Sequence, residues 1–166
     1  IADPNPVLFL EHKRTYRLFR QEMDGAPAET RIGKARVTRQ GGDLTIFAYG
    51  LMLHESLAAA QTLSDEGTEC TVVDLLTLNP LDRETILDSA RATGKVLIVH
   101  EDTLTGGLGG EIAAIIAEHA FEYLDAPIRR VAGPDIPPIP FHHAMEDFFM
   151  PNRDKIASAA RELAAY

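Results

Sequence analysis

Groups suited to proton chemistry stand together in "VLIVHEDTLTGGLGGEIAAIIAEHA", residues 96–120. His100, Glu101 and Asp102 end an apolar run, and Gly106, Gly107, Gly109 and Gly110 follow. An imidazole beside two carboxylates is material for general acid–base catalysis. A glycine-rich turn before a helix is material for a phosphate site, because free N–H groups and the helix dipole favour an anion. The spacing argues against both. A dinucleotide fingerprint needs a third glycine where Ile112 stands, and a phosphate loop needs a Gly-Lys-Ser/Thr that is absent. Glu111 would face any pyrophosphate. Successive strand residues point to opposite faces, so His100, Glu101 and Asp102 converge only if the strand bends. The plainer expectation is that polar residues end a strand. The glycines then supply a positive φ and let a helix pack closely.

The other candidate groups are weaker. The remaining histidines are His12, His54, His119, His142 and His143. No H-E-x-x-H pattern or comparable ligand spacing occurs among them, which argues against zinc. Cys70 is the only cysteine, so it forms no internal disulfide, and it opens an apolar strand, where a thiol reads as core. No G-x-S-x-G elbow is present. Glu118, Glu122 and Asp125 form an acidic stretch that reads as a solvated face or as a docking surface for Lys and Arg.

A regular alternation of elements must position these groups. Strands are expected at 43–50, 68–78, 95–102 and 127–133, with helices at 54–67, 81–94, 109–124 and 150–166. Leu53, Leu57, Ala60 and Leu63 share one face of the first helix, and Ile156, Ala160 and Leu163 one face of the last. Asp82 is placed as an N-cap, and Gly67 and Gly94 as helix stops. Strand and helix recurring in this way are the mark of βαβ units. The Val/Ile/Leu runs fit strands covered on both faces. The expected architecture is α/β, a three-layer αβα sandwich with a mostly parallel sheet of about five strands.

The first forty residues break this rhythm. "PVLFLEHK" (6–13) reads as a short buried strand with no sheet of its own. Residues 14–43 are polar, contain five glycines and prolines without sustained period, and read as linker. The expected division is 1–40 and 41–166. The segment 135–151, with three prolines before residue 141, reads as extended surface.

The 166 residues suit one domain with an appendage. A net charge of −9 and a pI near 5.1 argue against a nucleic-acid or anionic-membrane surface and suit a soluble protein or one that meets a basic partner. No apolar run approaches the ~20 residues of a membrane span. A chain that opens on Ile1 and runs straight into a strand is expected to be part of a larger protein.

Several long motifs occur in one order: "PNPVLFLEHKRTYR", "GGDLTIFAYG", "VVDLLTLNPLD", "TGKVLIVHEDTLTGGLGGEI", "YLDAPIRRVAGPDIPPIPF" and "MPNRDKIASAARELAAY". Together they resemble the β subunit of thiamin-diphosphate-dependent 2-oxo acid dehydrogenases, with "HEDTLTGG" leaning toward the branched-chain members. The resemblance implies that residues 1–40 are the last strand of a pyrimidine-binding domain plus linker. Residues 41–166 would then be a transketolase-like C-terminal domain. It also implies an α2β2 enzyme that oxidatively decarboxylates a branched-chain 2-oxo acid or pyruvate. That enzyme would be cytoplasmic in a bacterium and in the mitochondrial matrix of a eukaryote.

Thiamin diphosphate and Mg would lie between the α subunit and the pyrimidine-binding domain of β. The family's catalytic glutamate and histidine have no counterpart here, so no catalytic or cofactor-binding residue is assigned and the chain alone is expected to be inactive. Asp3 and Asn5 match part of a structural potassium site. Asp125 of "YLDAP" and the carboxylate of Tyr166 match contacts to the basic subunit-binding domain of a dihydrolipoyl acyltransferase. In the family that domain sits across the C-terminal domains of the two β subunits. The extra proline and two histidines of "DIPPIPFHHAM" depart from the family pattern. Two other readings compete: a free-standing α/β module binding a nucleotide or anion at the glycine turn, and the equivalent domain of a transketolase or deoxyxylulose-phosphate synthase.

Overall fold

The computed structural model describes residues 3–18, 20, 22, 31–136 and 141–166. Five strands form one sheet: β1 (Arg36–Arg39), β2 (Leu44–Ala48), β3 (Cys70–Asp74), β4 (Val96–Thr103) and β5 (Arg129–Gly133). Their order is β1-β3-β2-β4-β5. Only β1 runs antiparallel; the pairs β2–β3, β2–β4 and β4–β5 are parallel. The helices are α1 (Leu51–Asp65), α2 (Arg83–Thr93), α3 (Leu108–His119), α4 (His143–Phe149) and α5 (Arg153–Ala164).

The apolar strands are buried on both faces, and their period-2 alternation sorts them into two cores. Leu44, Ile46, Ala48, Cys70, Val72, Leu97 and Val99 pack with α1 and α5. Phe47, Val73, Val96 and Ile98 face the other way, onto Ile86 and Ala90 of α2 and Ile112 and Ile116 of α3. This is the expected three-layer αβα sandwich. Arg161 of α5 grips Glu66, just past α1, with two bonds of 2.7 and 2.8 Å, tying one outer layer together. Fully buried Cys70 has its thiol pushed up to about 11 by burial, which leaves it a core residue and a poor nucleophile.

The helix ends follow from local chemistry. Asp82 accepts from the Thr85 N–H at 3.3 Å and caps α2. Its carboxylate also accepts from the Ala35 N–H at 3.0 Å and the Thr85 hydroxyl at 2.8 Å. Burial opposes its ionisation, but these bonds and Lys34 prevail and hold the pKa below the ordinary carboxylate value. Gly94 ends α2 in the left-handed region, φ 66°.

Three departures from the expected elements have physical causes. β1 lies inside the segment read as linker; as an antiparallel edge strand rich in arginine, it lacks the apolar run that marks an inner strand. Residues 143–149, read as extended surface, form α4; the prolines that suggested extension precede it, and Pro137, Pro138 and Pro140 lie outside the described residues, as do Gly25 and Pro27 of the linker. "PVLFLE" has no assigned strand, and Leu8, Phe9 and Leu10 are 91%, 83% and 86% exposed rather than buried. An extended segment without a neighbouring strand has nothing to bury it. Among the described residues no helix is long and apolar enough to cross a membrane.

Candidate functional site

The strand order fixes where a ligand would meet this sheet. β2 connects to β3 on one side, and β4 to β5 on the other, so the topological switch point lies beyond the C-terminal ends of β2 and β4. Tyr49 follows β2 there, and His100, Glu101 and Asp102 end β4. Burial raises the Tyr49 phenol above its ordinary pKa, and the charges of Asp102 and Glu101 add to that.

The three polar residues of β4 do not converge. His100 is fully buried. Glu101 accepts from His12 at 3.0 Å. Asp102 is exposed, and its Oδ1 takes the Thr103 N–H at 2.8 Å. The β4–β5 register shifts between Val99 and Thr103, yet the irregularity leaves each side chain with separate neighbours. A shared catalytic cluster is absent from this arrangement.

The glycine turn explains what His100 does. Gly106 has φ 79°, and Gly107 in extended conformation is the N-cap residue of α3. A Cβ on Gly107 would stand 2.6 Å from the His100 Cε1, and one on Gly109 would stand 2.6 Å from its Cδ2. The first turn of α3 therefore lies directly on the imidazole, and side chains at these positions are excluded. Farther out, the turn is tied to the end of β5: Leu104 N–H donates to Gly133 O, and Thr105 N–H to Asp135, at 2.9 and 3.0 Å. Close helix packing is thus the work of Gly107 and Gly109. Glu111 falls in the first turn of α3, where an anion would sit.

Both ring nitrogens of His100 are buried without a hydrogen-bond partner among the described residues. Burial pulls its pKa below the ordinary value; Asp102 opposes this and Arg130 adds slightly to it. The unfolded imidazole then binds a proton that the folded one does not. Stability is full above the ordinary histidine pKa of about 6.5 and falls as the pH drops below it. Melting temperatures across pH 5–8 should show this loss in the natural chain. His100→Leu should flatten the slope by up to one proton, about 1.4 kcal/mol per pH unit. An unchanged slope would rule out His100 as its source.

The residues singled out by resemblance occupy two other regions. Asp3 and Asn5 are exposed and face each other, with Asn5 N and Nδ2 donating to Asp3 Oδ1 at 2.8 and 3.1 Å. Their oxygens suit a hard cation, but no group of three His, Cys, Asp or Glu among the described residues gathers as a metal site. Asp125 is exposed, and its N–H donates to Gly94 O at 2.8 Å. The next residue, Lys95, donates from Nζ to Ala164 O at 2.9 Å, near the end of α5. The Gly94–Lys95 pair, at the start of β4, therefore connects the Asp125 loop to the segment ending in Tyr166, itself 65% exposed. Sequence reasoning missed the contact of His12 with Glu101, which spans 89 positions. No local pattern could have shown it.

Comparison with known proteins places these features in a family. The family described as transketolase, C-terminal domain, matches residues 33–156. The 2-oxoisovalerate dehydrogenase subunit beta of Bacillus subtilis (strain 168) is 51% identical over the whole chain, which covers 51% of that protein. The pyruvate dehydrogenase E1 component subunit beta of the same strain is 42% identical, again over the whole chain and 50% of the relative. The chain thus spans about half the length of the relatives it matches. A solved structure titled "Split gene transketolase, inactive beta4 tetramer" is 30% identical with a TM-score of 0.74; the match covers 87% of this chain and 46% of that one.

Proposed function

Because the chain belongs to the transketolase C-terminal domain family, we propose that it is part of the β subunit of a 2-oxo acid dehydrogenase decarboxylase component. The observation that carries this reading is 51% identity, sustained over every residue, to a 2-oxoisovalerate dehydrogenase β subunit. The intact enzyme is an α2β2 assembly acting on a branched-chain 2-oxo acid or pyruvate, in the cytoplasm of a bacterium or the mitochondrial matrix of a eukaryote. The C-terminal domain serves assembly with the α subunit and a second β subunit. It also docks the basic subunit-binding domain of the acyltransferase, through Asp125 and Tyr166. Asp3 and Asn5 offer oxygen ligands to one part of a structural potassium site.

Thiamin diphosphate and Mg supply the decarboxylation chemistry in that enzyme, but the described residues do not fit them. The Gly106–Gly110 turn, the nearest thing here to a phosphate cradle, is filled from beneath by His100 and carries Glu111 where an anion would sit. No catalytic step is therefore assigned to this chain's own residues. The same geometry disfavours a free-standing nucleotide module. The transketolase reading rests on a 30% identical neighbour, against 51% for the dehydrogenase subunit.

The test is reconstitution. The whole β subunit carrying this chain is combined with its α subunit, thiamin diphosphate, Mg and an artificial electron acceptor. Branched-chain 2-oxo acids, pyruvate and ketose phosphates are offered in turn. Turnover of a 2-oxo acid that requires both subunits is the expected result. Ketol transfer between sugar phosphates, without 2-oxo acid oxidation, would overturn the assignment.

A further inference from the structure

The segment ahead of the sheet changes character at His12. Val7 to Leu10 are exposed, whereas His12 and Thr15, three apart on the 3-10 turn Lys13–Arg17 and its cap, are turned inward and part-buried. His12 Nε2 reaches Glu101 Oε2 at 3.0 Å. Glu101 lies past the portion of β4 that pairs with β2, and its charge is felt by Tyr49 at the end of β2. His12, the cap of this turn, therefore meets β4 beside the switch point, the place where open parallel sheets take ligands.

The bonding around His12 is directional. Its Nδ1 accepts from the Arg14 N–H at 3.3 Å, so that nitrogen carries no proton. The proton is then on Nε2, which donates to Glu101. The His12 carbonyl accepts from the Thr15 N–H at 2.9 Å and the Thr15 hydroxyl at 2.7 Å. One residue thus caps the turn with its Nδ1, anchors it with its carbonyl and fastens it to β4 with its Nε2. Arg14 reaches on to Glu146 of α4 at 3.7 Å.

We propose that residues His12–Arg17 are a strap that closes the switch point with the chain's own backbone, His12 being its clasp on Glu101. The position that would admit a small ligand in other open sheets becomes the anchor of the segment that enters the domain. Ligand occupancy there and strap closure exclude each other. This inference does not depend on which substrate the intact enzyme uses.

Limited trypsin digestion of the 166-residue chain tests it, because Lys13, Arg14 and Arg17 all lie on the strap. Glu101→Ala, remote in sequence from the cleavage sites, should speed nicking at these residues about fivefold with an unchanged melting temperature. His12→Ala should do the same. His12→Gln, whose amide can still donate to Glu101, should stay within about twofold of the natural chain. Unchanged nicking in both alanine variants would overturn the strap, and so would nicking that rises only together with a fall in melting temperature. Imidazole nitrogen NMR should also show the neutral His12 protonated on Nε2, and the opposite tautomer would overturn the clasp.

Discussion

Gly109→Val is expected to lower the stability of the chain by about 3 kcal/mol, near the upper end of the usual cost of overpacking. For a chain of this length that is a fall in melting temperature of roughly 6–12 °C. The cost arises because nothing nearby can give way. A Cβ at Gly109 would stand 2.6 Å from the His100 Cδ2 and closer still to Nε2, with the Ile98 Cγ2 at 3.3 Å. The imidazole cannot retreat, since it is fully buried on β4 beneath the first turn of α3. Gly110 is the internal control. A Cβ there meets only the Arg130 Nη1 at 3.6 Å, the far end of a flexible side chain, so Gly110→Ala should be neutral or stabilising by up to about 1 kcal/mol. A second variant isolates the cause. Gly109→Ala should cost less in a His100→Ala background than alone, because the contact has been removed. Equal costs in the two backgrounds, measured by denaturant unfolding, would show that His100 is not what the glycine accommodates.

How much of this was legible in the sequence depends on the range of the interaction concerned. The four parallel strands and the helices between them were readable because each carries its own signal. Asp82 and Gly94 mark both ends of α2, and both do the predicted jobs. Ile156, Ala160 and Leu163 of α5 are all fully buried, as their shared face required. β1 was hidden because an edge strand of four residues, two of them arginine, looks like linker. The β4 terminus was legible only in part. Strand alternation correctly denied a converged triad, and the packing role expected of the glycines falls to Gly107 and Gly109. The partners were another matter. His100 meets Gly107 and Gly109 through the fold of the turn, and His12 meets Glu101 across 89 positions. The latter contact exists only once the sheet is assembled, and no spacing rule encodes it.

Asp125→Lys in the assembled enzyme is expected to weaken docking of the acyltransferase subunit-binding domain about tenfold at low ionic strength. Three observations motivate the prediction. Asp125 is exposed, so its charge is available to a partner. The chain carries a net charge of −9, which suits a basic partner. The Gly94–Lys95 pair links the Asp125 loop to the C-terminal segment, which places a second exposed group, Tyr166, on a connected surface. An exposed pair gains from long-range attraction, so the loss should shrink as salt shortens the Debye length from about 30 Å at 0.01 M to about 8 Å at 0.15 M. Asp125→Asn removes one charge rather than reversing it and should fall between the natural enzyme and the lysine variant.

The backbone bond from Asp125 N–H to Gly94 O survives either change, so the loop should keep its place. The carboxylate itself packs close to Gly94: a Cβ there would stand 2.8 Å from the Asp125 Cγ, and Gly94 is at φ 66°. Gly94→Ala should therefore displace the carboxylate while leaving its charge intact, which separates position from charge. Decarboxylation assayed with an artificial electron acceptor should be unchanged in Asp125→Lys, whereas acyl transfer through the full complex should fall. Calorimetry showing equal docking by the natural and lysine enzymes at low salt would remove Asp125 from the interface. Equal losses at low and high salt would mean that the residue acts through shape rather than charge.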